Sequence, residues 1–439
     1  MFRYYLDLAL RSLKRSKGLT ALMILTIAFG VAASMTTWSV FRAVSGDPIP
    51  WKSSKLYVPQ IDMWGPSARG TDTSAPNYGD PPDAIDYNDA VALMRDHRAS
   101  LQSALYQVSP SVVPDRPGTH PINVNGHAVF SEFFPMVDVP FQYGSAWNAA
   151  DDERRAEVAV ISGNLNDKVF GGGNNVGKTL NIEGRDYRVV GVLGKWDPQL
   201  KFYDVVNTGG FTDQEDLFLP FNTAIAAAMP NNGNTNCNES PKQPGFVGLQ
   251  QSSCVWIAYM AQLDDEAAAA RFKDYLTGFA RSRYSQWPAN VRLRGLMSWL
   301  DYEHVVPSDT KVSLLVALGL LIVCLVNTAG LLLAKFLRRS GEIGVRRALG
   351  ASRAAIYAQF LTEGGMIGFA GGVLGLLLTG LGVAAVGVVL PRQIASLARV
   401  DVSLLLTTMV VAVAASLLAS LYPTFRASRV QPAWQLKSN

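Results

Sequence analysis

Four long apolar stretches around one large polar insert constrain the fold of this chain more than any single residue does. The apolar stretches run from Leu19 to about Val44, from Val312 to Ala334, from Ala355 to Leu390 and from Val402 to Leu421. A helix needs about 20 residues to cross ~30 Å of hydrocarbon, so each stretch is long enough to span a membrane. The segment from about Gly46 to Thr310 is too polar to enter a bilayer. The sequence therefore predicts four transmembrane helices with a globular domain between the first two.

Basic and acidic residues are divided unevenly between the insert and the rest of the chain. Residues 43–310 hold 21 basic and 31 acidic side chains, whereas the remaining residues hold 18 basic and 4 acidic ones. Because Lys and Arg stay on the cytoplasmic side, we expect both termini and the loop between spans two and three to be cytoplasmic. The insert is then outside. We expect the basic half to contact membrane lipid, and we do not expect nucleic-acid binding.

The N-terminal segment carries an amphipathic pattern. Apolar residues such as Tyr5, Leu6 and Leu13 recur at helical spacing, with Arg11 and Lys14 on the other face. This pattern predicts a helix on the inner leaflet or, alternatively, the cytoplasmic end of one long helix. The apolar run that follows exceeds the ~7–15 residues of a signal peptide core, so we interpret it as a retained anchor.

These patterns divide the chain into segments and predict the fold class. The segments are an amphipathic helix (1–18), transmembrane helices (19–45, 311–337, 355–390 and 402–422), the insert (46–310), a cytoplasmic loop (338–354), a short outer loop (391–401) and a cytoplasmic tail (423–439). Within the insert, the patterns predict helices over 86–105 and 264–284, and two strands around a turn over 180–193. The flanks should form an α/β lobe and roughly 116–250 a strand-rich lobe. The predicted fold is a membrane α-helical protein with a two-lobed α+β extracytoplasmic domain.

Cysteine and histidine usage fits this topology. Cys237 and Cys254 lie in the insert and Cys324 lies in the second span. Two cysteines outside the cell favour a disulfide bond between Cys237 and Cys254, and the alternative is two free thiols in a reducing compartment. The histidines are scattered and form no ligand pair, so we do not expect a metal site.

One motif matches the phosphate-binding pattern G-x-x-x-x-G-K-[ST]. It runs from Gly172 to Thr179. Such a loop functions after a strand and before a helix. Here the following residues alternate like strands, so we interpret the motif as a glycine-rich turn that leads into a hairpin.

Small and polar residues mark the third span. Gly364, Gly368 and Gly372 are spaced by four residues, with Gly371 and Gly375 beside them. Such spacing lets helices approach closely, and predicts packing against spans of the same chain or of a second copy. Glu363, near the inner end of this span, is expected to be solvated at the membrane interface.

The loop between spans two and three, which reads EIGVRRALGASR from Glu342 to Arg353, resembles the cytoplasmic segment of MacB/FtsX-type ABC transporter permeases. The similarity continues through Gln359 and Phe360 into the glycine-rich span, and through Leu421-Tyr422-Pro423 near the end. In the insert, Val158–Ile161 and Tyr187–Val192 resemble the MacB-type periplasmic core. The resemblance covers nearly the whole chain in matching order.

This resemblance implies a mechanism in which ATP-driven motion is transmitted across the membrane to a periplasmic domain. It places Glu342, Arg346, Arg347, Gly350 and Arg353 on a helix that docks on an ABC ATPase. A short basic helix could dock on an acidic cleft, with Gly350 ending the helix. The alternative is that the arginines only fix the topology. No ATPase domain precedes the first span, so we expect the chain to bind no cofactor and not to be an enzyme, with ATP and Mg²⁺ bound by a partner ATPase dimer.

The resemblance also implies partners and a location. We expect a bacterial inner-membrane permease that dimerises with a second copy or a paralogue. The expected function is tripartite efflux or export of periplasmic substrates with a periplasmic adaptor and a TolC-like outer-membrane channel. The alternatives are an FtsX-like regulator that acts on a periplasmic enzyme, and a peptide sensing or detoxification module. A secondary transporter is disfavoured because inverted repeats and polar midplane sites are missing.

Overall fold

The computed structural model of the chain describes residues 2–68, 78–114, 120–198, 200–306, 308–389 and 401–428. The α-helices in these residues are α1 (Phe2–Arg15), α2 (Lys17–Ser45), α3 (Tyr87–Asp96), α4 (Phe133–Met136), α5 (Ala149–Glu153), α6 (Gly163–Phe170), α7 (Val205–Thr208), α8 (Phe221–Ala226), α9 (Gly245–Gln250), α10 (Glu266–Arg283), α11 (Leu296–Tyr302), α12 (Ser308–Arg338), α13 (Ser340–Ala348), α14 (Arg353–Val389) and α15 (Val402–Ser428). The strands are β1 (Leu56–Ile61), β2 (Leu101–Val108), β3 (Ser111–Val113), β4 (Ile122–Asn123), β5 (Gly126–Val129), β6 (Phe141–Gly144), β7 (Val158–Ile161), β8 (Thr179–Ile182), β9 (Arg185–Leu193), β10 (Leu217–Pro220), β11 (Ala258–Gln262) and β12 (Val291–Gly295). Residues 391–400 and 429–439, which hold most of the predicted outer loop and tail, lie outside the described ranges.

The chain divides into two units, a helical unit (1–46 with 306–439) and an insert domain (47–305). In the helical unit, four described helices are long and apolar enough to cross a membrane, within α2, α12, α14 and α15. The predicted four spans are thus confirmed. Their shared core includes Ile27, Leu332, Phe336, Phe360 and Ile367.

The insert domain is built on one mixed sheet with the strand order β12-β1-β11-β2-β5-β10-β7-β9-β8-β3-β4, and β6 pairs with β9. Strands from the flanks of the insert form one half of the sheet, and strands from its centre form the other half. The pairs β5–β10 and β7–β9 are parallel, and the other pairs are antiparallel. The confirmed fold class is therefore a membrane α-helical protein with a mixed α and β domain between its first two spans.

Both faces of this sheet are covered by apolar side chains. Along β2, Ala104 and Tyr106 join one apolar core, and Leu105 joins another, because successive strand side chains point to opposite faces. Helices α3 and α10 contribute to the first core, and α4 and α11 contribute to the second. A strand that is buried on both faces reads as a continuous apolar run rather than an alternating one.

This burial explains why the predicted helix over 86–105 is wrong at its C-terminal end. The helix begins after Asp86, whose side chain accepts from the Asp89 N–H, and it ends at His97, where φ is 46°. Strand β2 begins at Leu101. An apolar run that is buried on both faces cannot be distinguished from a buried helix by its pattern alone. Two other predictions are confirmed: α10 follows the capping residue Asp265, and β8 and β9 form a hairpin.

Candidate functional site

Helix α13, between the second and third membrane helices, contains most of the predicted coupling residues. It ends in a Schellman motif, in which the Ala351 N–H donates to the Arg346 carbonyl at 3.0 Å and the Gly350 N–H donates to the Arg347 carbonyl at 3.1 Å. Gly350 has a φ of 100°, a backbone angle that residues other than glycine rarely adopt. The predicted role of Gly350 as the end of this helix is therefore observed, and the chain turns sharply there toward α14.

The two arginines of α13 are half-buried and bind other groups of the same chain. Arg346 lies 3.0 Å from the Glu342 carboxylate and donates to the Gln359 side chain at 2.9 Å. Arg347 donates to the carbonyl of Ser428 at 3.4 Å. These contacts hold α13 against α14 and the end of α15. They do not test the predicted docking role of the arginines.

The exposed face of α13 is apolar rather than basic. Leu349 is 83% exposed and Val345 is 53% exposed, and Ala348 lies on the same face. On the opposite face, Ile343 is buried in the core of the helical unit. Arg353, at the start of α14, is exposed. The surface that α13 offers to a partner is therefore a short apolar ridge followed by one basic residue.

Glu363 lies on α14 and is completely buried, so the expectation that it is solvated is wrong. Its carboxylate contacts the ammonium group of Lys335, which is 4% exposed, and lies 3.7 Å from the Arg339 guanidinium. The Ser12 hydroxyl, on α1, donates to Glu363 Oε1 at 2.8 Å. Burial of a carboxylate is costly unless cations and hydrogen-bond donors surround it, and here both do. Sequence reasoning missed this cluster because its members come from three distant segments.

The glycines of α14 allow close packing against two helices of the same chain. A Cβ atom added at Gly368 would lie 2.6 Å from Ser416 Cβ, and one added at Gly364 would lie 2.7 Å from Ser420 Oγ. Gly372 likewise faces α15. The remaining two, Gly371 and Gly375, face α2 near residues 27 and 28. All five predicted packing glycines thus serve contacts within one chain, and the predicted contact with a second copy stays a prediction.

In the insert domain, Cys237 and Cys254 form a disulfide bond, and Cys324 of α12 is a buried free thiol. The segment that matches the phosphate-binding pattern lies between helix α6 and strand β8. This order is the reverse of the strand–loop–helix order that phosphate binding requires. The Lys178 ammonium lies 5.4 Å from the centre of the Phe170 ring rather than over a helix N-terminus.

A buried ionic cluster in the insert domain also escaped sequence reasoning. The imidazole of His127, in β5, lies 2.7 Å from the Asp204 carboxylate through Nε2 and 2.9 Å from Glu215 through Nδ1. The Tyr203 hydroxyl donates to the other oxygen of Glu215 at 2.5 Å. Burial alone would lower the pKa of His127, but Glu215 and Asp204 outweigh it and raise the pKa to about 10. The cluster therefore holds an imidazolium between two carboxylates.

Four candidate membrane helices and a mixed-sheet domain inserted after the first define a multi-pass membrane protein with a large domain on one side. The model of the MacB-like periplasmic core domain matches residues 20–279, and that of the FtsX-like permease C-terminal domain matches residues 314–432. The first match covers more than half of the chain, and the chain belongs to the MacB/FtsX family of ABC transporter permeases.

Curated relatives of this chain include three bacterial export proteins. The macrolide export ATP-binding/permease protein MacB of Syntrophobacter fumaroxidans is 24% identical over 98% of this chain and 63% of its own length. MacB of Pasteurella multocida is 26% identical over 69% of this chain and 42% of its own length. The pyoverdine export ATP-binding/permease protein PvdT of Pseudomonas aeruginosa is 23% identical over 95% of this chain and 56% of its own length. The chain thus spans about half the length of these relatives.

Two solved structures are similar to part of this chain. The periplasmic region of MacB from Actinobacillus actinomycetemcomitans is 14% identical, with a TM-score of 0.35 over 56% of this chain and 92% of that one. The extracellular domain of the ABC-type transporter YknZ from Gram-positive bacteria is 11% identical, with a TM-score of 0.34 over 54% of this chain and 99% of that one.

Proposed function

We propose that this chain is the permease subunit of a MacB-type ABC transporter in a bacterial inner membrane, with both termini and α13 in the cytoplasm. A separate ABC ATPase dimer binds ATP and Mg²⁺, and its motion passes through the spans to the periplasmic insert domain. A second permease, a periplasmic adaptor and a TolC-like channel complete a tripartite exporter of periplasmic substrates. The relatives whose names combine ATP binding with export support this proposal. The observation on which it mainly rests is the exposed apolar surface of α13.

The apolar ridge of α13 has the properties of a preorganised docking element. Val345, Ala348 and Leu349 occupy positions i, i+3 and i+4, so they present one continuous face. The Schellman motif fixes one end of the helix, and the ion pair between Glu342 and Arg346 supports its middle. An amphipathic helix of this kind binds a partner by laying its apolar face into an apolar groove. The ATPase therefore contacts Val345 and Leu349, and Arg353 adds a charge beside them.

The arginines have a different role in this proposal. Because Arg346 and Arg347 bind groups of the same chain, they hold α13 in place rather than contact the ATPase. Replacing Arg346 by Glu would place a like charge beside Glu342. Replacing Arg347 by Glu would remove the donor to the Ser428 carbonyl, so both changes would disturb the helix itself. Leu349, which is 83% exposed, offers a cleaner test of docking.

We predict that Leu349→Glu strongly reduces recruitment of the ATPase. A charge in the centre of an apolar interface costs about 2 kcal/mol or more, so the amount of co-purified ATPase should fall by at least about ten-fold. The matched control is Lys14→Glu, which introduces a glutamate at an exposed position of α1 and leaves the α13 ridge intact. The measurement is quantitative mass spectrometry after affinity purification from native membranes. Equal recovery of the ATPase with Leu349→Glu and with wild type would contradict the docking assignment.

The same purification separates the exporter from the regulator. An ATPase that co-purifies with an adaptor and an outer-membrane channel supports export. An ATPase that co-purifies with a cell-wall enzyme supports an FtsX-like regulator. Wild-type chain that recovers no ATPase under conditions that preserve other ABC complexes would contradict the proposed function as a whole.

A further inference from the structure

The buried carboxylate of Glu363 joins three distant segments of the helical unit: α1, the region where α12 meets α13, and α14 itself. It lies on α14 and contacts Ser12 of α1, Lys335 of α12 and Arg339, which joins α12 to α13. In the part of the chain that the structure describes, the ionic and hydrogen-bonding partners of the Glu363 side chain belong to other helices or to the joint between two of them. The carboxylate therefore links segments that local sequence does not hold together.

Arg339 extends this cluster outward to α13. Its guanidinium donates to the Ser12 hydroxyl at 2.5 Å and lies 3.1 Å from the Glu342 carboxylate, while it faces Glu363 on its inner side. Glu342 in turn pairs with Arg346 of α13. A continuous series of charged contacts thus runs from the buried end of α14, through Arg339, to the helix that carries the apolar ridge.

Glu363 has more partners than the neutralisation of Lys335 requires. If it only cancelled one buried ammonium, Lys335 alone would suffice as its partner. Instead, Arg339 lies between two carboxylates, Glu363 and Glu342, and Ser12 lies between Glu363 and Arg339. Buried charged groups of this kind can select one arrangement of helices, since every alternative arrangement leaves a charge without a partner.

We propose that Glu363 is a positioning residue that fixes α13 relative to α1 and α14, so that a displacement of α13 moves these helices together. The functional part of this inference rests on the proposed function, because a partner must displace α13. The structural part does not, because it concerns the chain alone. In this arrangement α1 forms part of the moving unit instead of serving only as a membrane anchor.

Pulsed electron paramagnetic resonance on the isolated chain in nanodiscs tests the structural part. Spin labels on Lys14→Cys and Ala348→Cys, both exposed, report the distance between α1 and α13. The doubly labelled chain also carries Cys324→Ala, which removes the free thiol that the structure describes. Cys237 and Cys254 are bonded to each other and do not react with the label. We expect a narrow distance distribution in this background and a broad one with Glu363→Gln. The control Thr379→Val, which removes a buried hydroxyl on the same helix, should leave it narrow.

A double variant separates positioning from charge neutralisation. Glu363→Gln with Lys335→Met removes the buried ammonium together with the carboxylate. This double variant leaves no unpaired ammonium, so it can be measured even if the single variant does not insert into the membrane. Positioning predicts that the distribution stays broad, because Arg339 still lacks the buried carboxylate that it faces on its inner side. A narrow distribution in the double variant, or in Glu363→Gln itself, would overturn the proposal.

Coupling is measured separately with the co-purified ATPase. We expect the double variant to recover the ATPase in wild-type amounts, because the α13 ridge is intact. We expect its stimulation of ATP hydrolysis to fall by roughly ten-fold, within the usual range of coupling between sites. Wild-type stimulation would overturn the functional part. If the wild-type chain recruits no ATPase, the proposed function fails, while the spin-label result still decides whether Glu363 positions α13.

Discussion

His127 shows what a single residue can contribute to the stability of the insert domain. Its ring is completely buried, and each ring nitrogen faces a carboxylate, Asp204 or Glu215. These carboxylates belong to the segment between β9 and β10, and His127 belongs to β5. The ion pairs therefore hold the long segment between β9 and β10 against strand β5 of the sheet. Charge pairs in an apolar interior are costly to break one partner at a time, because the remaining charge stays buried.

The pKa of His127 leads to a prediction about pH. It is about 10 in the folded chain, above the value of about 6.5 for an unfolded chain, so folding strengthens proton binding. The stabilisation is complete below about pH 6.5 and is lost as the pH rises toward 10, with a slope of up to about 1.4 kcal/mol per pH unit. We expect the thermal midpoint of the purified chain to fall over this range, and His127→Gln to be less stable at pH 6.5 but to show a flatter slope.

Two comparisons complete this test. Burial raises the pKa of Glu215, but His127 outweighs it, so the net shift is downward, and that contribution to stability is lost only as the pH falls below about 4.5. The window of highest stability from this cluster is therefore about pH 4.5 to 6.5. The control is His97→Asn, at a half-exposed position whose φ of 46° asparagine tolerates. A wild-type slope that persists in His127→Gln would contradict the assignment of the pH dependence to His127.

At the scale of elements, the glycines of α14 set how closely this helix packs against its neighbours. Its glycines face α15 on one side and α2 on the other, so α14 packs closely against both helices. The hydroxyl of Ser416 also donates to the Gly364 carbonyl at 2.6 Å, which requires the two backbones to lie close together. In lipid, such close contact replaces the hydrophobic driving force that water supplies elsewhere.

We predict that Gly368→Ala destabilises the helical unit. The added Cβ would lie 2.6 Å from Ser416 Cβ and 3.0 Å from the Ala412 carbonyl oxygen, so α14 and α15 must separate. Overpacking of this kind costs about 1–3 kcal/mol. The matched control is Gly380→Ala on the same helix, where an added Cβ meets no atom within 4 Å. Thermal unfolding in detergent measures both, and an equal midpoint for the two variants would contradict the packing role.

The sequence could predict elements that follow from local pattern. The four spans follow from hydropathy, and the β8–β9 hairpin follows from its turn at Glu183-Gly184, where φ values of 51° and 78° suit a two-residue hairpin turn. The C-terminal end of α3 could not be predicted, because a strand that is buried on both faces has no polar alternation. The surroundings of Glu363 and His127 could not be predicted either, since their partners lie up to 351 positions away in the chain. Charge at a single position does not reveal whether the fold supplies an opposite charge.

At the scale of the whole molecule, the two units differ in charge as well as in structure. The excess of acidic residues lies in residues 43–310, and the excess of basic residues lies in the rest of the chain. Residues 338–354 alone hold five arginines and one glutamate. Moving one positive charge outward against a membrane potential of about 100 mV costs about 2.3 kcal/mol, so this segment strongly favours the cytoplasm.

This charge distribution predicts the orientation of the chain, which cysteine labelling in intact spheroplasts measures. In the Cys324→Ala background, Ser282→Cys on the exposed face of α10 should react with a membrane-impermeant maleimide. Gly341→Cys on α13, where an added side chain meets no atom within 4 Å, should react only after the membrane is permeabilised. The Cys324→Ala chain without added cysteine is the control and should remain unlabelled, because its Cys237 and Cys254 are bonded to each other. Labelling of Gly341→Cys in intact spheroplasts would place α13 outside, where no ATPase could reach its apolar ridge, and would contradict both the orientation and the coupling mechanism that depends on it.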